Sequence, residues 1–199
     1  CANGSSELMS NLSASVVSIL FNLQLMAIIG EAGVAAYSVM MYIDFAFAAV
    51  FLGFSMGSGP IVSFHFGADN RKELNNVFRK SFAVIALASL AMVVLSELLA
   101  QPLASAFVGY SPELLELTVH GFRLFALSYF FVGFGIYGSA FFTALCNGPV
   151  SALISFLRTF LFRGGMVLLL PLVLDLDGIW LAVVVADGIG AAVALGLTW

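Results

Sequence analysis

Six long apolar runs dominate this 199-residue sequence, at about 6–29, 34–64, 77–107, 114–145, 150–172 and 179–198. Crossing about 30 Å of hydrocarbon takes about 20 apolar residues in a helix, so each run is long enough to span a membrane. The runs do not alternate apolar with polar residues, which sets aside a β-barrel and leaves helices as the spanning element. The expected fold class is therefore all-α: a polytopic membrane protein with six transmembrane helices in one unit over 1–199. Several runs exceed one span, so tilt or interfacial extension is expected. Only 9% of the residues are charged and 62% are hydrophobic, against about 25% charged in soluble domains. A soluble enzyme, a nucleic-acid module and a disordered tail are excluded on that ground.

Turn signals separate the runs: Gly30-Glu31-Ala32-Gly33, Gly67-Ala68-Asp69-Asn70, Gly109-Tyr110-Ser111-Pro112, Asn147-Gly148-Pro149 and Asp175-Leu176-Asp177-Gly178. Arg71, Lys72, Arg79 and Lys80 flank the second connector, and Arg158 and Arg163 follow the fourth. The other three connectors hold acids and no Lys or Arg. The basic side is expected to be cytoplasmic, which places both chain ends there. Trp180 and Trp199 bracket the last run as interfacial anchors would. Cys1 and Cys146 form no disulfide framework and no zinc motif. The sequence opens on Cys1 with no signal peptide in view, and the expectation is half of a longer chain.

An ionisable group in hydrocarbon normally faces protein or a cavity. Asp44, Arg123 and Asp187 each lie at about 14–16 Å from the outer face, counting 1.5 Å per residue. Equal depth makes pairing possible, and Arg123 with Asp44 or Asp187 is the expected pair. Such a pair either holds helices together or belongs to a proton- or cation-responsive network in a transport path. Along the first run, Glu7, Asn11, Ser15, Ser18 and Asn22 fall within about 80° of one another on a helix. That stripe suits a cavity wall, with interhelical contact as the alternative. Tyr37, Asp44 and Ser55 share a shorter face on the second run, with Met41 beside them.

Gly53 and Gly57 form a GxxxG followed by Gly59 and Pro60, and Gly133, Gly135 and Gly138 cluster in the fourth run. Such glycines permit close helix approach or bending. His65 and His120 lie at opposite membrane faces, which argues against a shared metal. His120 follows Glu116 by four residues, the spacing of a surface pair. No Walker A, HExxH, GxGxxG or Ser-His-Asp order is present, so an enzyme is not expected. Twenty phenylalanines and seven methionines suit a promiscuous pocket, a core or a lipid-facing surface.

The run from Gly53 to Ala68, Gly-Phe-Ser-Met-Gly-Ser-Gly-Pro-Ile-Val-Ser-Phe-His-Phe-Gly-Ala, followed by Asp-Asn-Arg-Lys, resembles the MATE (multidrug and toxic compound extrusion) family pattern. Phe122-Arg123-Leu124, the segment from Phe141 to Gly148 with Arg158 beyond it, and Asp177-Gly-Ile-Trp180 with Asp187 also resemble that family, in the same order. The resemblance covers essentially the whole chain and implies the C-terminal six-helix lobe of a twelve-helix exporter. It further implies export of cationic or amphipathic drugs in exchange for protons or sodium, by alternating access between two lobes. The implied partners are the lipid bilayer, an N-terminal lobe of the same chain and small amphipathic or cationic substrates, with no nucleic acid and no cofactor. The implied location is the bacterial inner membrane. The sodium-coupled branch carries carboxylates at positions that align near Ser15 and Ile136 here, so the chain looks more like the branch coupled through an aspartate of the other lobe.

Two other readings compete. A lipid-linked saccharide flippase of the same superfamily is expected to need a more cationic cavity, and Arg123 is the only arginine counted at mid-depth above. A membrane scaffold would tolerate loss of Asp44 and Asp187 together.

Overall fold

The computed structural model describes residues 2–198, except for the side chains of residues 2–7, 9, 10, 197 and 198. The described residues form α1 (Ala2–Ile28), α2 (Glu31–Gly67), α3 (Arg71–Val108), α4 (Pro112–Ala126) and α5 (Tyr129–Ala144). These are followed by α6 (Gly148–Phe156), a π-helical segment (Leu157–Arg163), α7 (Gly164–Leu169) and α8 (Pro171–Thr198). Among them, α1, α2, α3, α8 and the continuous 148–169 rod are long and apolar enough to cross a membrane. The bent pair α4–α5 supplies a sixth span.

The connectors fall where the turn signals lie. Gly30 (φ 79°), Asp69 (φ 49°), Cys146 (φ 58°) and Asp175 (φ 48°) take left-handed backbone that ends or breaks a helix. The Asn70 side chain accepts from the Glu73 backbone N–H at 3.2 Å, capping α3. The Ser111 hydroxyl accepts from Leu114 N–H at 3.4 Å, and Pro112 sits in the first turn of α4. Asp175 divides α8, and the straight span begins just beyond it.

Three expectations about the spans need correction. The fourth run is not one straight helix. It bends by 50° between α4 and α5. The bend lies at Leu127-Ser128, upstream of the glycine cluster. There the backbone tightens to i→i+3 bonds, Ser128 N–H to Phe125 O at 2.9 Å and Phe131 N–H to Ser128 O at 2.8 Å. Arg158 and Arg163 follow the fourth connector but are not charges of its membrane face: both lie inside the fifth span, about 15 and 22 Å from Gly148 at a helical rise. Trp180 is not an interfacial anchor. It is fully buried, against Gly121 of α4, where an added Cβ would come within 2.8 Å of its ring. Trp199 lies outside the described residues.

Helix α5 is the hub, packing against α2, α3, α6 and α8. Its glycines explain how: a Cβ at Gly133 would meet the Phe51 ring at 2.7 Å, and one at Gly138 would meet Ala194 Cβ at 2.9 Å. Here close approach, not bending, is what the glycines provide. The Gly53–Gly57 pair and Gly59 make no such contact; nothing described lies within 4 Å of a Cβ there. A hydroxyl ladder adds polar contacts between α5 and α6, with Ser139 Oγ 2.8 Å from Ser155 Oγ and Thr143 Oγ1 2.7 Å from Ser151 Oγ.

Candidate functional site

The π segment is what builds the site. In an α-helix, residues five apart point about 140° away from each other. The i→i+5 bonding of a π-helix brings them almost into line. Arg158 and Arg163 are five apart and bracket most of this segment, so the π turn turns both guanidiniums toward one side.

Arg163 meets Asp187 of α8 in a two-pronged ion pair, Nε to Oδ1 at 3.0 Å and Nη2 to Oδ2 at 2.6 Å. The Asp187 side chain is fully buried and that of Arg163 is 20% exposed. Arg158 has no carboxylate within ion-pair distance among the described residues. Its Nη1 donates to the Val132 carbonyl at 3.4 Å. Its stem lies over two glycines: a Cβ at Gly190 would come within 2.7 Å of Arg158 Cγ, and one at Gly135 within 2.7 Å of Cδ.

Asp44 of α2 lies within electrostatic reach of Arg163, Asp187 and Arg158. No cation forms an ion pair with it among the described residues. Its carboxyl faces the buried Tyr129 hydroxyl. Tyr37 belongs to the same neighbourhood, under the fields of Arg163 and Asp44, and its ring stacks on Phe21 with centroids 4.9 Å apart. The cluster holds two acids and two arginines, so its formal charge is zero.

Beside it, α1 and α2 enclose an open groove of about 410 Å³, lined in part by Ser18, Asn22, Tyr37 and Met41. The lower part of the polar stripe is therefore a groove wall. Asn22 donates to Ser18 O at 2.8 Å, and Ser15 donates to Asn11 O at 3.0 Å. Asn11 and Ser15 are exposed. The Glu7 side chain lies outside the described residues.

Arg123 is not part of the cluster. It lies 3.7 Å from Glu97 of α3, with both side chains roughly half exposed, so the expected pairing with Asp44 or Asp187 is corrected. Glu97 sits inside the third run, and a helical count of depth gave it no weight. His120 pairs with Asp177 at 2.8 Å and not with Glu116, because the break at Asp175 brings the start of the last span over α4. No group of three metal-ligating side chains occurs among the described residues.

Of the candidates, the structure gathers Asp44, Asp187 and Tyr37, sets Asn22 on the adjoining groove, and leaves Asn11 and Arg123 apart. It adds Arg158, Arg163 and Tyr129. The two arginines carried a signal, since both fall inside the apolar run 150–172. Assigning them to the membrane face concealed it. Chemically, the cluster can hold a proton or cation at Asp44, while Asp187 is already occupied by Arg163.

A sequence model of the family described as MatE matches residues 8–165. No curated protein matches significantly. Among solved structures, the chain is similar to an outward-facing multidrug resistance MATE family transporter of the MOP superfamily, with TM-score 0.90, 21% identity, and coverage of 98% of this chain and 44% of that one. A MOP superfamily transporter from Pyrococcus furiosus, described as having a binding pocket of reversed polarity and a suggested different function, matches with TM-score 0.90, 22% identity and the same coverage. A Vibrio cholerae MATE transporter matches with TM-score 0.89 and 20% identity, again over 98% and 44%. The chain thus spans less than half the length of these transporters.

Proposed function

This chain belongs to the MatE family of membrane transporters, and on that premise we propose that it forms the C-terminal lobe of a cation-coupled multidrug exporter. In this reading Asp44 is the responsive group of the lobe. It shares a neutral mid-span cluster with two arginines, yet it forms no ion pair among the described residues and faces the buried hydroxyl of Tyr129. That carboxylate without an ion pair, beside two arginines, is the observation that carries the proposal. A proton or a cationic substrate neutralises the Asp44 carboxylate, and whichever binds shifts the preferred conformation of the lobe. Protons are favoured over sodium as the driving ion, because among the described residues the other carboxylate of the cluster, Asp187, is already paired with Arg163. The groove formed by Ser18, Asn22 and Tyr37 is the lobe's side of the substrate path. The protein works in the bacterial inner membrane, with the basic α2–α3 connector and both ends of this chain in the cytoplasm. The bilayer and the N-terminal lobe are its partners, and no cofactor takes part.

The test is efflux of a fluorescent organic cation from cells expressing the full-length gene, with and without an uncoupler. Uncoupler-sensitive efflux whose pH dependence is lost in Asp44→Asn is the expected result. Efflux that ignores the uncoupler defeats the coupling assignment.

Export of an anionic cargo, such as a lipid-linked saccharide, gains support from one observation. Arg158 and Arg163 supply two mid-span cations where the sequence count gave one, and Arg158 has no carboxylate partner. A lipid-precursor translocation assay decides for this reading if organic cations are not moved by a well-expressed protein.

A further inference from the structure

A second groove lies between α2 and α3, on a surface the charge cluster does not use. It measures about 390 Å³ and is almost wholly apolar, in the size range of about 300–1,000 Å³ usual for ligand clefts. Gly57, Ser58 and Ile61 of α2 line it opposite Val77, Lys80 and Val84 of α3. With Phe54 and Ser81 added, each set follows helical i, i+3, i+4, i+7 spacing, so two helical faces form a slot running along the membrane normal. Gly57 keeps the slot open, with nothing described within 4 Å of an added Cβ.

Among the described residues Lys80 is the only charge lining this slot, and its height is informative. At 1.5 Å per residue, the 38 residues of α3 extend about 57 Å, roughly 27 Å more than the hydrocarbon thickness. Shared between the ends, the excess puts the hydrocarbon boundary about 13 Å below each end, and Lys80 stands about 13.5 Å from Arg71. The ammonium therefore sits at the boundary with apolar slot below it, as a snorkelling lysine does. Lys80 and its neighbour Arg79 are exposed and have no ion-pair partner among the described residues. Four cations face two acids over residues 69–80, and one of those acids, Glu73, is held by the Asn76 amide at 3.1 Å.

We infer that this slot binds one anionic phospholipid, its phosphate on Lys80 beside Arg79 and an acyl chain along Gly57. A protein surface covering the slot would have to supply a carboxylate for Lys80. A phospholipid supplies both the charge and the chain, and surface cations contribute attraction to anionic lipid.

The experiment is native mass spectrometry of the full-length protein in mild detergent, titrated with phosphatidylglycerol or phosphatidylcholine. Lys80→Gln is expected to lower retained phosphatidylglycerol about fivefold, the effect of one interfacial cation, and to leave phosphatidylcholine unchanged. Gly57→Leu fills the slot and is expected to lower both lipids. Lys72→Gln, outside the slot, is expected to change retention by less than about twofold. Unchanged phosphatidylglycerol in both Lys80→Gln and Gly57→Leu overturns the inference. So does a drop in melting temperature for Gly57→Leu that is equally large with and without lipid, since that outcome assigns the slot to contact with the rest of the transporter.

Discussion

Arg163 and Asp187, 24 residues apart in sequence, meet through two hydrogen bonds at 3.0 and 2.6 Å between adjacent spans. The geometry is the fork-to-fork match that favours arginine over lysine for carboxylate binding. With Asp187 fully buried, the pair is shielded from water, and each charge alone is costly there. Arg163→Leu and Asp187→Leu are each expected to destabilise the full-length protein by about 3–5 kcal/mol. The double replacement is expected to recover most of that loss, because it leaves no orphan charge. Thermal unfolding of the three variants in detergent measures it, and strictly additive losses would mean that the two side chains are not coupled.

The π segment leads to a register prediction. Deleting exposed Phe160 converts five-residue spacing into four, and four-residue spacing in an α-helix again sets both arginines on one face. The deletion is expected to keep the fold and a measurable part of transport. Inserting one alanine after Phe160 instead turns Arg163 by about 100° relative to Arg158 and is expected to abolish transport. A transport assay on both variants checks this, and equal activity in the two would remove the π turn from the mechanism.

Gly121 and Trp180 define a tight contact between α4 and α8. The indole is fully buried and cannot withdraw from a new methyl at 2.8 Å. Gly121→Ala is therefore expected to cost about 1–3 kcal/mol through overpacking. Gly188→Ala meets its nearest side chain, Phe131, only at 3.8 Å, an ordinary contact, and is expected to be neutral or slightly stabilising. Melting temperatures of the two variants separate the cases.

These examples show which features were legible in the sequence. Apolar runs and turn residues are local, so the helix ends at Gly30 and Asp69 could be read directly. Asp44 and Asp187 could be singled out because a carboxylate in an apolar run is conspicuous, and the structure places them in one cluster. Pairings could not be read. A helical count gives depth but not azimuth, so depth alone pairs Arg123 with acids at its own level, whereas its neighbour is Glu97. The count also assumes one α-register per span. The bend at Leu127-Ser128 and the π turn at 157–163 break that assumption, and they decide where Arg158, Arg163 and Tyr129 point. Trp180 shows the same limit, since an aromatic near a span end fits an anchor or a core, and only Gly121 opposite it makes it core.

Asp44 and Asp187 occupy one cluster, yet substitution should separate them. Asp187 is paired, so Asp187→Asn removes a structural charge and leaves Arg163 uncompensated; loss of folded protein is the expected result. Asp44 has no ion pair to lose, so Asp44→Asn is expected to express and melt close to the parent. If Asp44 carries the coupling proton, that same variant loses the pH dependence of cation transport, because an amide does not titrate. Measuring folded yield alongside transport at several pH values gives a two-way result. Normal yield with pH-insensitive transport in Asp44→Asn, together with poor yield in Asp187→Asn, fits the proposed division of roles. Normal pH dependence in Asp44→Asn moves the coupling site out of this lobe.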